Sequence, residues 1–148
     1  MTQTFDAFEP GDCVSYRLRR AARKAAAHFD KALRPVGLRN TQFTLLGALD
    51  HLGDISIGAL SDELATDATT LNRNLAVLVR RDLVEDIPAD DGRVRQVRLT
   101  GAGRKLFAKS LPFWRAAQDE ILATLEAGQW ADMRSNLRTI ESACDRQP

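Results

Sequence analysis

Thr69, Thr70, Asn72, Arg73 and Asn74 crowd hydrogen-bonding side chains into one short stretch. A guanidinium can bond O6 and N7 of guanine together, an asparagine amide can do the same with N6 and N7 of adenine, and threonine suits either. Reading base edges in this way needs a helix with one face free and the other packed. The neighbouring apolar residues supply the packed face. Leu71, Leu75 and Leu78 recur at helical spacing and form one buried line. The opposite face then holds Thr69, Arg73 and Ala76, flanked by Thr70 and Val77, with Asn72 and Asn74 on the two borders. Asp67 is placed to cap this helix.

A second charged group follows directly. Asp91-Gly92 is a hairpin-turn signal between two segments that read as paired strands, Leu83 to Ile87 and Val94 to Leu99. Arg93 and Arg95, at and just beyond the tip, suit a narrow minor groove or the phosphates beside it. Asp91 is close enough in sequence to orient Arg93 through an ion pair. Arg80, Arg81 and Arg98 read either as phosphate contacts or as surface charge without a role. Pro88 interrupts the first strand, so the hairpin is expected to be short or bent there.

Catalytic chemistry has no comparable support. His28 and His51 stand alone, without metal-ligand spacing or a nucleophile and base around them. TGAGRK at residues 100–105 resembles a phosphate loop in composition but fails the G-x-x-x-x-G-K-[ST] pattern. Its glycines fit a helix start packed closely against the hairpin. No catalytic residue, cofactor or metal is expected.

The remaining elements must present the reading helix. Asp12 is a good cap for a first helix reaching Leu33, with Val14, Leu18, Ala22, Ala25, Phe29 and Ala32 as its apolar stripe and Pro35 and Gly37 as its stop. Thr41 can cap a second helix that carries Phe43, Leu45, Leu46, Leu49 and Leu52. Ile55-Ser56-Ile57 is a short strand, and a brief helix follows from Gly58 to Leu64. Thr100 caps a long helix that Pro112 should kink and Gly128 should close. The last helix spaces Trp130, Met133, Leu137, Ile140 and Cys144 like coiled-coil seam positions. The fold expected is therefore mainly α with a small β hairpin: a winged helix-turn-helix at 41–103, with dimerisation helices at 12–36 and 104–148. Residues 1–11 form a loose arm in which Phe5 and Phe8 are free to pack.

At 148 residues the chain suits one domain, and 44% hydrophobic with 28% charged residues is ordinary globular composition. A net charge of +1 excludes a strongly basic binder, so any cationic face must be local. Apolar runs fall short of the ~20 residues that span a bilayer. Cys13 and Cys144 are too few for a disulfide framework, and a reducing cytoplasm is the default.

From about Asp12 to the last helix the sequence resembles the MarR family, bacterial regulators named for multiple antibiotic resistance. The resemblance is carried by TTLNRNLAVLVRRDLVE and DDGRVRQVRLTGAG, by Asp91-Gly92-Arg93 followed by Leu99-Thr100, and by Gln42 early in the second helix. It implies a homodimer with interleaved terminal helices, acting as a repressor on a pseudo-palindromic operator in double-stranded DNA.

The resemblance also implies control by a signal. A small phenolic or carboxylate effector would enter a cleft between the helical base and the winged lobe, for which Tyr16, Arg17, Phe43, Leu46, Phe113 and Trp114 are candidates. The alternative is oxidant sensing through Cys13, which as the first helical residue after Asp12 would meet free backbone N–H groups that favour a thiolate. Cys144 reads as core, and a bridge between the two cysteines stays open. A winged-helix adaptor that binds protein instead of DNA is the remaining rival.

Overall fold

The computed structural model describes residues 9–88 and 94–145. Phe5 and Phe8, expected in a loose arm, and Asp91 and Arg93, expected at the hairpin tip, lie outside that range. In chain order the elements are α1 (Val14–Leu33), a 3-10 turn (Arg34–Val36), α2 (Asn40–Leu52), β1 (Ile55–Ser56), α3 (Ile57–Glu63), α4 (Ala68–Arg80), β2 (Val84–Ile87), β3 (Gln96–Leu99), α5 (Gly101–Leu122) and α6 (Gln129–Asp145). This is a winged helix-turn-helix set between long terminal helices.

Side-chain caps set the boundaries within the winged lobe. Ser56, Asp67 and Thr100 accept the backbone N–H of Ala59, Thr70 and Gly103, so α3, α4 and α5 each begin with an orphan donor satisfied. The outer helices start elsewhere than expected. Cys13, not Asp12, is the N-cap of α1, and its side chain makes no capping bond. The second helix begins at Asn40 with Arg39 as N-cap, which puts Thr41 inside the first turn. The cause is partly tertiary: Asp30 on α1 accepts the Asn40 N–H at 2.6 Å, while Gln42 Oε1 accepts that of Arg39 at 3.0 Å.

The sheet is antiparallel in the order β1-β3-β2. Ile55 faces Val97, Val84 faces Leu99 and Glu85 faces Arg98. Val84, Val97 and Leu99 turn inward onto Leu71, Leu75 and Leu78 of α4 and Leu45, Leu46 and Leu49 of α2 in a single core. Each such buried leucine contributes about 1.5–3 kcal/mol. Phe43 extends this core to α5, stacking on Trp114 with ring centroids 5.8 Å apart and meeting Phe107 at 5.2 Å.

The fifth helix runs through Pro112 without a break. Pro112 is exposed, while Leu111, Phe113 and Trp114 beside it pack on the core and carry the helix past the missing donor. The helix stops at Leu122, short of Gly128, which adopts φ +87° at the end of the connection to α6. No residue of α6 is buried. Leu18, Ala22, Ala25 and Phe29 of α1, Ile121 and Leu122 of α5, and Trp130, Met133 and Leu137 of α6 line an apolar trough of about 710 Å³.

Candidate nucleic-acid interface

The reading helix is held from behind. Leu71, Leu75 and Leu78 are at most 1% exposed, which fixes the rotation of α4 and leaves its other face outward. Thr69, Thr70, Asn72 and Arg73 are exposed and Asn74 is half-buried. Asn74 and Thr70 line a small concavity with Asn40, Thr41 and Thr44 of α2, about 220 Å³ in volume. Among the described residues Arg73 has no hydrogen-bond or ion-pair partner, so its guanidinium is available to a ligand.

Thr70 has a capping task besides the one its position suggested. Its hydroxyl donates to Asp67 Oδ2 at 2.7 Å and its N–H to Oδ1 at 2.8 Å. These bonds, the hydroxyl first, hold the Asp67 carboxyl below its ordinary value. The same side chain therefore closes the cap of α4 and borders the outward face.

The wing cations are also partly engaged. Arg98 pairs with Glu85 directly across the ladder at 2.8 Å, and that carboxylate raises the arginine's own pKa. Arg81 donates to the Gly37 carbonyl at 3.0 Å, tying the end of α4 to the loop after α1. Arg95, expected at the groove or on a phosphate, is bonded within the protein to Asp86 and Asn72. Asp86 was not singled out in the sequence, although a carboxylate on β2 opposite the arginine-rich strand was a legible signal.

The six residues expected to line an effector cleft are divided within the single chain. Phe43 and Leu46 are core, Phe113 and Trp114 are half-buried, and the face of Trp114 is covered by Phe43. Tyr16 and Arg17 are exposed on α1, and Tyr16 lines a depression with Cys13, Ser15, Arg19 and Arg23. Both cysteines are free thiols, and Cys13 is half-buried. Cys144 is exposed where core was expected, because nothing among the described residues covers that end of α6.

A sequence model of the MarR family matches residues 36–93, which span the winged lobe up to the hairpin tip. The crystal structure of the M. tuberculosis transcriptional regulator MosR in complex with DNA matches at a TM-score of 0.82 and 35% identity, covering 90% of this chain and 97% of that one. The chain belongs to the MarR family. As a MarR-family protein it is a DNA-binding transcriptional regulator. The HTH-type regulator YxaD of Bacillus subtilis is 28% identical over 98 residues, 66% of this chain and 68% of that protein. Bordetella bronchiseptica BpsR, whose DNA binding is regulated by 6-hydroxynicotinic acid, shares the fold at a TM-score of 0.82 and 24% identity, over 92% of this chain and 98% of that one. No helix among the described residues is long and apolar enough to cross a membrane.

Proposed function

We propose that this MarR-family chain is a homodimeric repressor that binds a pseudo-palindromic operator in the cytoplasm. In this reading 12–36 and 104–148 form the dimer base and 41–103 forms the lobe that enters the major groove. The observation that carries it is Arg73: a guanidinium with no partner among the described residues, on the exposed face of a helix whose other face is locked by three buried leucines. Thr69, Asn72 and Asn74 border the same surface, Thr70 contributes at its edge, and Asp91 and Arg93 supply the wing contact on sequence grounds. The dimer reading is supported by the apolar trough among α1, α5 and α6 and by an α6 with no buried residue. A second copy would cover both, as it would the exposed Val14 and Met133.

The signal we propose is a small aromatic or carboxylate compound. The likeness to BpsR is one of fold, and the acid that regulates that protein defines the class to titrate first. Tyr16 and Arg17, exposed on α1, remain free to meet such a ligand, and the aromatic residues on α2 and α5 would transmit its effect to the lobe. A second reading, oxidant sensing, is favoured by Cys13, an accessible thiol at the head of α1 with its capping capacity unused.

Selection of bound DNA from a random pool tests these readings together. A two-fold motif with half-sites about one helical turn apart, or a multiple, is expected. Loss of the motif with 6-hydroxynicotinic acid supports the effector reading, and loss with mild peroxide supports the thiol. Absence of any enriched sequence at low salt would overturn the regulator reading in favour of a protein-binding adaptor.

A further inference from the structure

Arg95, just before β3, bridges β2 and α4 with its side chain. Its Nε donates to Asp86 Oδ1 at 2.5 Å and its Nη2 to Oδ2 at 3.3 Å, a two-point ion pair with β2. Its Nη1 donates to Asn72 Oδ1 at 2.7 Å, on α4. Among the wing arginines this differs from Arg98, whose bond to Glu85 stays within the sheet. One guanidinium thus straps the wing to the reading helix.

Resting on the reading that α4 contacts DNA, we infer that Arg95 is a positioning residue: it fixes the wing against α4 and decides which edge of the Asn72 carboxamide faces the operator. A guanidinium only donates, so the Asn72 atom turned to it must be the oxygen. The amide NH2 is then the edge left for DNA. An NH2 donor fits acceptors in the major groove: guanine N7 and O6, thymine O4, or adenine N7 by a single bond. The paired contact with adenine needs the asparagine oxygen to accept from N6 at the same time, and Arg95 occupies one of its two lone pairs and turns it toward the wing. Asn72 therefore favours an acceptor-bearing edge over adenine's donor-acceptor pair. Asp86 meanwhile neutralises Arg95, so this arginine displaces no counterion from a phosphate.

The strap is exposed, and an exposed pair adds little to global stability, so its loss should appear in binding and not in folding. On the selected operator, Arg95→Ala is expected to weaken binding roughly tenfold or more at an unchanged thermal midpoint, with the wild-type salt dependence. Arg95→Lys keeps the charge but not the two-sided geometry and should stay defective. Base preference should change in Arg95→Ala at the operator position where it changes in Asn72→Ala, and the double variant should lose less than the two single losses combined. Nuclear magnetic resonance of the free protein gives an independent reading: the Asn72 side-chain amide signals should shift in Arg95→Ala and stay in place in Arg98→Ala.

A fall in salt slope of about 0.9 in Arg95→Ala would make it a phosphate contact and overturn the inference. So would full rescue by lysine, or unmoved Asn72 amide signals. Failure of the wild-type chain to select any sequence would overturn the regulator reading and the strap's role in it, while the resonance shifts would still decide whether the strap exists.

Discussion

A methyl group on Gly103 would stand 2.0 Å from the backbone oxygen of Leu83 and 3.0 Å from its carbonyl carbon. That oxygen already accepts the Thr100 N–H at 3.1 Å, and the Thr100 hydroxyl donates to the Asp82 carbonyl at 2.6 Å. The start of α5 is thereby pressed onto the start of the wing, and the contact is backbone on backbone. A side chain can rotate out of such a clash; a hydrogen-bonded backbone carbonyl cannot.

Gly103→Ala is therefore expected to destabilise the protein by about 3 kcal/mol or more, at or beyond the usual range for overpacking. Gly101, two residues earlier, has open space around its Cβ direction. Gly101→Ala should leave stability unchanged or raise it by up to about 1 kcal/mol, the helix advantage of alanine over glycine. Urea unfolding of the two variants checks both, and equal effects would show that the close approach is not the reason for glycine at 103.

The cap of α4 carries a pH dependence with a definite sign. The Thr70 hydroxyl and N–H hold the Asp67 carboxyl below the ordinary value of 3.8. Since the folded value is the lower one, the charged cap stabilises fully above 3.8 and loses its effect as pH falls through the folded value. Asp67→Ala should lower the thermal midpoint at neutral pH, and its gap from wild type should narrow in acid. Asn caps nearly as well as Asp, so Asp67→Asn should cost less at neutral pH. Thr70→Val should flatten the acid dependence, because the hydroxyl bond is the first cause of the shift.

What was legible in the sequence follows from which interactions are local. The α4 face was readable because period, cap and leucine line all lie within Asp67 to Arg80. The Gly103 approach was readable as a glycine where a helix start meets a hairpin. The start of α2 was not, because the group that caps Asn40 is Asp30 on another helix. The partners of Arg95 were hidden for the same reason: its position in the hairpin suggested DNA, and only the fold brings Asn72 and Asp86 to it. Cys144 continues an apolar stripe, and a stripe records that something covers it without saying whether that is the same chain.

Arg73 and Arg93 should fail in different ways. In the proposed reading Arg73→Ala removes a base-edge contact, and it should cost about 1–3 kcal/mol on the preferred operator while costing little on scrambled DNA. Arg93→Ala, which the sequence assigns to the wing tip, should weaken binding to both and lower the salt slope by about 0.9 for each phosphate that the arginine neutralises. Titrations on both DNAs at several salt concentrations separate the two. Unchanged binding by both variants would remove α4 and the wing from the interface.

The apolar trough makes its own prediction about assembly. Leu137 borders it and also a second hollow with Leu125, Met133 and Ile140, on a helix with no buried residue. If a second copy covers this surface, Leu137→Asp would bury an unpaired carboxylate, which is far costlier than trimming a leucine from the interface. The dimer dissociation constant should rise at least roughly 100-fold, a little under 3 kcal/mol. Sedimentation should show monomers with intact helical content, and operator affinity should fall with the loss of the second half-site. A dimer of undiminished strength would place the interface elsewhere.

Cys13 separates structural from chemical roles. It occupies the N-cap of α1 with φ −72° and ψ 118°, a backbone suited to capping, yet its thiol makes no capping bond. Cys13→Ser supplies a hydroxyl acceptor for the first-turn N–H groups and should raise stability, by about 0.5–1 kcal/mol on the usual scale of such caps. A residue that a stabler neighbour in chemistry could replace invites a role for the sulfur itself. If the thiol is the sensor, mild peroxide should weaken operator binding by the wild type and by Cys144→Ser, and leave Cys13→Ser unaffected. Mass spectrometry of the same samples should place the added oxygen on Cys13. If Cys13→Ser loses affinity in peroxide as the wild type does, the oxidised group is not Cys13, and the added oxygen should be found elsewhere, with the exposed Cys144 the first place to look.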